Sequence, residues 1–510
     1  MQQNSVVTPG TTGGPGAGRP LVVRNSLLNL TSRLLNAVVN LVTVYVLAHR
    51  LSKDEFGLYY TVFALLLAVQ MIVESGIATV VTYRIVRSPD RWKRTVAEAN
   101  GLLLCVVTVS FLALTAIGFA WRGWSGGSVP LALFVLTGIA VAMIQVQRFA
   151  TAVFRAFESF GWENLTLVMQ GALFAGLAWL LLGAEHGTTT VMAMFAASHA
   201  AAAVVLVIAL QSRRRCLEVR FGLTILRSWL SQSVPLGIGD VIRRLTWQLD
   251  TILLGLLQPA SVVAVYAIGY WPLAPLNWVP IAIMTATFPS LARIGTLDRE
   301  SLSRMFTNSI RCLWLISLPI AVVIFVAAGA IVRTIAGPDY EAATEPMRIL
   351  IWITILSFLS VQWRFFLTAV ASQRAYGRLV FGVFAIELLI ELLLIPIWGY
   401  FGACAGSLVG EVVFVVAGIV LCRRLGFGRI EWRPVIGGAC SALGMGAFLW
   451  MFRDSSLPVL VLNSALATVL YVALCVATGA ICRQDLRVVS RLFRRRGASA
   501  VGVASGGESS

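Results

Sequence analysis

Apolar runs of roughly twenty residues recur along this chain, and its cationic residues gather in every second gap between them. About twenty residues at 1.5 Å each cross a hydrocarbon core of ~30 Å. About fourteen such runs are expected, near 25–49, 57–83, 96–121, 129–154, 163–184, 188–212, 232–257, 260–290, 308–335, 346–372, 376–398, 401–423, 433–452 and 457–482. Of 40 Lys and Arg, six (Arg50, Lys53, Arg122, Arg333, Arg348, Arg453) lie on one side of the alternation. Four (Arg33, Arg243, Arg244, Arg364) lie within runs, and the remaining thirty lie on the other side. Positive residues stay cytoplasmic, so both termini are expected inside a bacterial cytoplasmic membrane. A missed run would invert the pattern beyond it, so the alternation and the number of runs support each other.

The chain is 58% hydrophobic and 12% charged, against about 45–50% and about 25% in soluble domains. The fold class is therefore all-α, a polytopic membrane protein of about 14 transmembrane helices. A net charge of +17 would suggest nucleic acid in a soluble protein. Here it follows from topology, and no nucleic-acid partner is expected.

Residues 1–23 are rich in Gly, Pro and Thr and read as a disordered cytoplasmic tail rather than a signal peptide. Six runs follow in 24–212 and six more in 232–424, separated by 213–231, which mixes Phe221, Leu223, Trp229 and basic residues like an amphipathic helix on the inner membrane surface. An additional helix pair occupies 425–482 and a basic cytoplasmic tail 483–510. The two halves repeat weakly: VYVLAHRLSKDEFGLYYTVFALL and TILLGLLQPASVVAVYAIGYWPL each place a short external turn before a Tyr-bearing apolar helix (Tyr59, Tyr266). Weak repeats of this kind are a transporter signature.

Nothing matches a nucleotide-binding loop, since Lys53 and Lys93 are the only lysines and neither sits in GxxxxGK[ST]. Eight scattered cysteines form no CxxC pair, and the three histidines share no ligand spacing, so neither a disulfide framework, a metal site nor a cofactor is expected. The external loops are too short for a membrane glycosyltransferase, and no enzymatic role is expected. Asp54 and Glu55 read as a solvated cap of the second run's helix, and His199 as a packed helix-interface residue.

Charges inside the runs are informative because a charge at bilayer depth costs about 2.5–3.5 kcal/mol on insertion scales. In Ser233–Leu257, Asp240, Arg243 and Arg244 share a helical face and Asp250 follows. They form either a self-neutralised cluster that packs helices or a site for an anionic cargo. Arg33 lies in a stripe with Asn29, Asn36 and Asn40 and either snorkels to the interface or faces cargo. Gln70 and Glu74 sit one turn apart, Gln145, Gln147 and Arg148 end the fourth run, and Gln362 and Arg364 lie in the tenth. Glu387 and Glu391 stand one turn apart, a repelling pair of use to a proton-coupled step or a structural partner for arginines. Pro235, Pro259, Pro272, Pro275, Pro280 and Pro289 crowd the seventh and eighth runs, where they are expected to bend helices.

Three stretches resemble a known family: LAHRLSKDEFGLYYTVFALL with VESGIA; LDTILLGLL with VYAIGY and TATFPSLARI; and IAGPDYEAATEPMRIL with LIPIWGYFGACAGSLVGEVV. They are similar to the polysaccharide (lipid-linked oligosaccharide) flippases of the multidrug/oligosaccharidyl-lipid/polysaccharide exporter superfamily, with Lys53 at a common proline and Glu74 at a common aspartate. The resemblance implies two six-helix lobes around a central cationic cavity and an extra C-terminal helix pair. It also implies a polyprenyl-pyrophosphate-linked oligosaccharide as substrate, handled by alternating access in surface polysaccharide biosynthesis. Membrane lipids, and polymerases and glycosyltransferases of the same pathway, would be partners. By depth, Arg33, Arg243, Arg244 and Arg364 are candidates for binding phosphate or acidic sugar, and Glu74, Asp250, Glu387 and Glu391 for ion coupling. The alternatives are a peptidoglycan lipid-precursor flippase and, in a different class, a cation-coupled multidrug antiporter, which would want an acidic, aromatic cavity.

Overall fold

Inside hydrocarbon a backbone satisfies its own N–H and C=O groups only as helix or closed barrel. The computed structural model of the chain is helical, with no strand among the described residues. It describes residues 19–481 apart from 75, 125, 128, 184–185, 215–217, 295–297, 371, 429 and 454. The tail expected at 483–510, and residues 1–18 of the one expected at 1–23, lie outside the described residues, and a helix already begins at Arg19.

By packing, the chain divides into two compact units, Met1–Ala264 and Val265–Ser510. The first holds α1 (Arg19–Arg50), α2 (Lys53–Glu74), α3 (Ile77–Arg87), α4 (Trp92–Trp124), α5 (Leu131–Ala156), α6 (Gly161–Leu181), α7 (Thr188–Arg214) and α8 (Leu223–Leu257). Helix α9 (Ala260–Tyr270) runs across the division in sequence. The second unit continues with α10 (Trp278–Ile294), α11 (Arg299–Ala336), α12 (Thr344–Ala369), α13 (Gln373–Trp398), α14 (Tyr400–Arg424), α15 (Trp432–Trp450) and α16 (Leu457–Ala477).

Among the described residues eleven helical segments are long and apolar enough to cross a membrane, or twelve if the pair Ala260–Tyr270 and Ala274–Ile294, bent by 49°, counts as one span. Fourteen were expected. The two remaining positions are occupied by α8 and α15, and composition explains why they fall short. Helix α8 carries Arg243, Arg244 and Asp250, and α15 is diluted by Arg433, Ser441 and four glycines.

In the first unit, α5 packs on α4 and α7, and α1 on α6. The core around α3 holds Val80, Val81, Ile85, Phe149, Val153 and Trp229. Trp229 belongs to the segment expected to lie on the membrane surface. The helix there begins at Leu223 and runs unbroken into α8, and Trp229 is fully buried with the Arg84 guanidinium 4.0 Å from its ring centre. Arg84 also donates to Ser228 O at 3.2 Å and Gln232 Oε1 at 3.1 Å. The preceding linker is tied to α4, with Arg220 N donating to Ala97 O at 2.8 Å and Asn100 Nδ2 to Glu218 O at 2.7 Å. An indole buries more apolar surface than any other side chain there, so the segment folds onto α3 and α4 and leaves Phe221 and Leu223 exposed.

The acidic turn also differs from expectation. Asp54 and Glu55 lie in the first turn of α2, but the Glu55 carboxylate accepts from the backbone N–H and hydroxyl of Thr188. It therefore caps α7, whose preceding residue, Gly187, has no side chain to do so. In the second unit, α15 and α16 pack on α11 through Leu318, Val322, Met445 and Tyr471. Trp314 Nε1 donates to Val435 O at 3.1 Å and Tyr471 OH to Leu315 O at 3.0 Å, which satisfies both polar tips.

Helix α2 meets α8 and the start of α9 at small residues. A Cβ on Gly57 would lie 1.7 Å from the Ala260 carbonyl oxygen, and one on Gly255 2.1 Å from Thr61 Cγ2. Gly57→Ala is expected to destabilise the purified protein by about 1–3 kcal/mol, read as a fall in its thermal midpoint. Gly123→Ala, at a position with nothing within 4 Å, is the control and should leave the midpoint within a degree or two, since exposed helix positions favour Ala over Gly by about 1 kcal/mol at most.

Candidate functional site

The second and eighth spans, which correspond in the two halves, are each interrupted. The second breaks between α2 and α3, where Gly76 adopts φ +79, a left-handed conformation that glycine accepts without strain. The eighth breaks between α9 and α10, where Pro272 and Pro275 stand and Asn277 Oδ1 accepts from Ser357 Oγ at 2.9 Å. The bend falls where the proline cluster was expected to place one; Pro235 lies within α8, and its side chain lies outside the described residues. Interrupted segments in matching positions of a repeat point to a binding site.

Glu74 is the last residue of α2, at the first interruption. Its carboxylate meets Arg148 of α5, with Nη1 at 2.8 Å from Oε1 and 2.6 Å from Oε2. Gln70, with its amide oxygen turned to the guanidinium, accepts from Arg148 Nε at 2.6 Å and from Nη2 at 2.8 Å. Gln145 Nε2 in turn donates to the Gln70 backbone carbonyl at 3.3 Å. Two residues on, Gln147 Nε2 lies 3.1 Å from His199 Nδ1 and donates to His199 O at 2.6 Å, joining α5 to α7. His199 is thus a packed interface residue. Arg148 was not among the residues chosen from sequence, although the polar run Gln145 to Arg148 inside an apolar span was its signal.

The sequence-predicted arginines do not share one setting. Arg33 is exposed on α1, within electrostatic reach of the pair in which Arg155 Nε donates to Glu163 Oε2 at 2.7 Å. Arg243 is half-buried with its guanidinium 5.6 Å from the centre of the Trp247 ring, whereas Arg244 is exposed. Adjacent helical residues point about 100° apart, so the two face different surroundings. The side chain of Asp240, expected on their face, lies outside the described residues. Asp250 is buried, and its Oδ1 accepts from Thr251 N at 3.2 Å. Arg364, on α12, is exposed.

In the second unit Glu387 and Glu391 are buried, at 4% and 0% exposure, on the face of α13 that meets α14. They fit there because α14 is bare opposite them. A Cβ on Gly406 would lie 2.4 Å from Glu391 Cγ, and one on Gly410 2.8 Å from Glu387 Oε2. Ser407 Oγ donates to Glu391 Oε1 at 3.5 Å, and Ser360 Oγ of α12 to Glu411 Oε1 at 2.5 Å. Three buried carboxylates thus lie in the packed layer of α12, α13 and α14. Glu411, on α14, was not among the residues chosen from sequence. Among the described residues no three His, Cys, Asp or Glu side chains are grouped as metal ligands.

Comparison with known proteins places this geometry. The chain is similar to the EPS I polysaccharide export inner membrane protein EpsE of Ralstonia solanacearum, at 24% identity over 68% of this chain and 81% of that protein. It is similar to a putative O-antigen transporter of Shigella flexneri, at 21% identity over 63% and 78%. Its fold matches the lipid II flippase MurJ in an inward closed conformation with a TM-score of 0.72, at 10% identity, covering 91% of this chain and 99% of that one. The MatE family model matches residues 235–397. The family model described as polysaccharide biosynthesis protein matches residues 22–295, more than half of the chain, and this multi-pass membrane protein belongs to that family.

Proposed function

We propose that this chain is a flippase that carries a polyprenyl-pyrophosphate-linked oligosaccharide from the cytoplasmic to the outer leaflet, by alternating access, for surface polysaccharide assembly. The observation that carries the reading is that Arg33 and Arg364, inside segments apolar enough to span, and Arg244, in the middle of α8, are exposed. Exposed guanidinium groups at such depth belong against water or an anion rather than lipid. The planar fork of arginine matches phosphate oxygens. An antiporter for cationic drugs would expose carboxylates instead, and here Asp250, Glu387 and Glu391 are buried. The relatives are named as export and transport proteins rather than enzymes, which supports transport without a chemical step. Both termini are read as cytoplasmic, from the alternation of Lys and Arg.

The roles divide by chemistry. Arg33, Arg243, Arg244 and Arg364 receive the pyrophosphate and any acidic sugars. Glu387 and Glu391 take up the coupling ion, with Asp250 and Glu74 as further carboxylates for that step. Membrane lipids surround the chain, and the polymerase and glycosyltransferases of the pathway work on the same lipid-linked substrate.

Three measurements test this. Deleting the gene is expected to cause accumulation of one polyprenyl-linked saccharide repeat, seen by mass spectrometry of extracted lipids, with loss of surface polysaccharide. Accumulation of a peptidoglycan precursor instead would assign the chain to that cargo, and drug sensitivity without lipid accumulation would assign it to multidrug export. Arg244→Ala and Arg364→Ala are each expected to cut transport by tenfold or more, since one charge-assisted phosphate contact contributes about 1.5–3 kcal/mol, with normal membrane insertion by immunoblot; full transport by both would remove them from the site. Glu387→Gln is expected to flatten the pH profile of transport, and an unchanged profile would exclude that carboxylate from coupling.

A further inference from the structure

Glu74 and Arg148 form an ion pair that is poorly explained as a structural tie. Arg148 precedes the end of α5 at Ala156 by eight residues, about 12 Å along the helix, so the pair sits well inside the membrane-spanning segment. Yet the Arg148 side chain is 43% exposed and that of Glu74 23%. A pair whose task was to lock two helices would be enclosed, because an exposed ion pair adds little to stability.

The geometry is also one that another anion can improve on. Both oxygens of Glu74 address a single nitrogen, Nη1, rather than lying side-on across two nitrogens as the strong arginine–carboxylate fork does. The two-nitrogen edge, Nε and Nη2, is held by the neutral amide oxygen of Gln70 at 2.6 and 2.8 Å. A phosphate oxygen there would replace an uncharged acceptor with a charged one. Glu74 is moreover the last residue of α2, where the helix dipole disfavours a carboxylate. Its helix therefore does little to hold it, and the left-handed Gly76 lies two residues on. The charged and titratable groups around the pair are Arg155 on α5, which the Glu74 charge reaches, and His199 on α7, which the Arg148 charge reaches.

We infer that Arg148 is a phosphate-binding subsite guarded by Glu74, whose carboxylate occupies the guanidinium until the anionic headgroup of a lipid-linked cargo displaces it. The ligand class is a prenyl pyrophosphate. The inference rests on the flippase reading and adds to it a residue and an internal competitor. It predicts opposite effects for the two partners: removing the competitor strengthens binding, and removing the guanidinium weakens it.

The test is equilibrium binding of farnesyl pyrophosphate to the full chain purified in detergent. Glu74→Gln is expected to tighten binding about tenfold, as when a site blocked nine-tenths of the time is released. Arg148→Gln should weaken it about tenfold or more, and the double variant should match Arg148→Gln. If Arg148→Gln does not fold, Arg148→Lys keeps a cation for Glu74 but loses the fork, and should still bind severalfold more weakly. Wild-type binding that both partners' variants weaken alike, or leave unchanged, would overturn the subsite alone and leave a structural ion pair. A wild type that binds no farnesyl pyrophosphate would overturn the flippase reading and the subsite together.

Discussion

Every feature of this chain follows from the absence of water around most of its length. A peptide group in hydrocarbon has no partner but another peptide group, so each crossing must be helix. The places where helix stops inside a crossing therefore carry special weight. There are such places in the second and eighth spans. At one, Gly76 supplies a conformation that other residues resist; at the other, Ser357 Oγ of α12 donates to the Asn277 side chain beside the break. A membrane protein tolerates such breaks where they face protein or a wet space, which is why they mark the site better than any single charge does.

The same constraint sorts the ionisable residues, and the two units resolve it differently. In the first unit the carboxylate of Glu74 is set against the guanidinium of Arg148, and that of Glu163 against Arg155. In the second unit Glu387 and Glu391 lie against a helix face made of Gly406, Ser407 and Gly410. A carboxylate beside an arginine moderates a cation. Under the proposed function the first arrangement serves the anionic cargo and the second the coupling ion.

The helical class and the bend at the proline cluster were legible in the sequence because each is a property of consecutive residues. So was the pairing of Glu387 with Glu391, one turn apart. Partners distant in sequence were not legible. Arg148 stands 74 residues from Glu74, and Thr188 stands 133 from Glu55, so neither the guarded guanidinium nor the cap of α7 followed from local spacing. The bare face of α14 was hidden for the same reason: Gly406 and Gly410 have meaning only once α13 lies opposite. The segment 213–231 misled because amphipathicity does not say whether an apolar face meets lipid or protein. Trp229 decides it, since its ring is buried in a core to which α3, α4 and α5 contribute.

The charges that draw attention to α8 in the sequence are also what keep it short of the apolarity of a membrane span, and this is one physical fact rather than two. A span that carries Arg243, Arg244 and Asp250 cannot be held by lipid alone, so protein contacts along its length must supply what hydrophobicity does not. Those contacts are present at both ends within the first unit, with Gly255 against Thr61 near its C-terminal end and Trp229 with Arg84 near its N-terminal end. Between them Arg244 stays exposed. A helix fixed at its ends and charged in its middle can keep a guanidinium in an unfavourable place without drifting to the interface. An arginine meant to meet a phosphate partway across a membrane requires that kind of support.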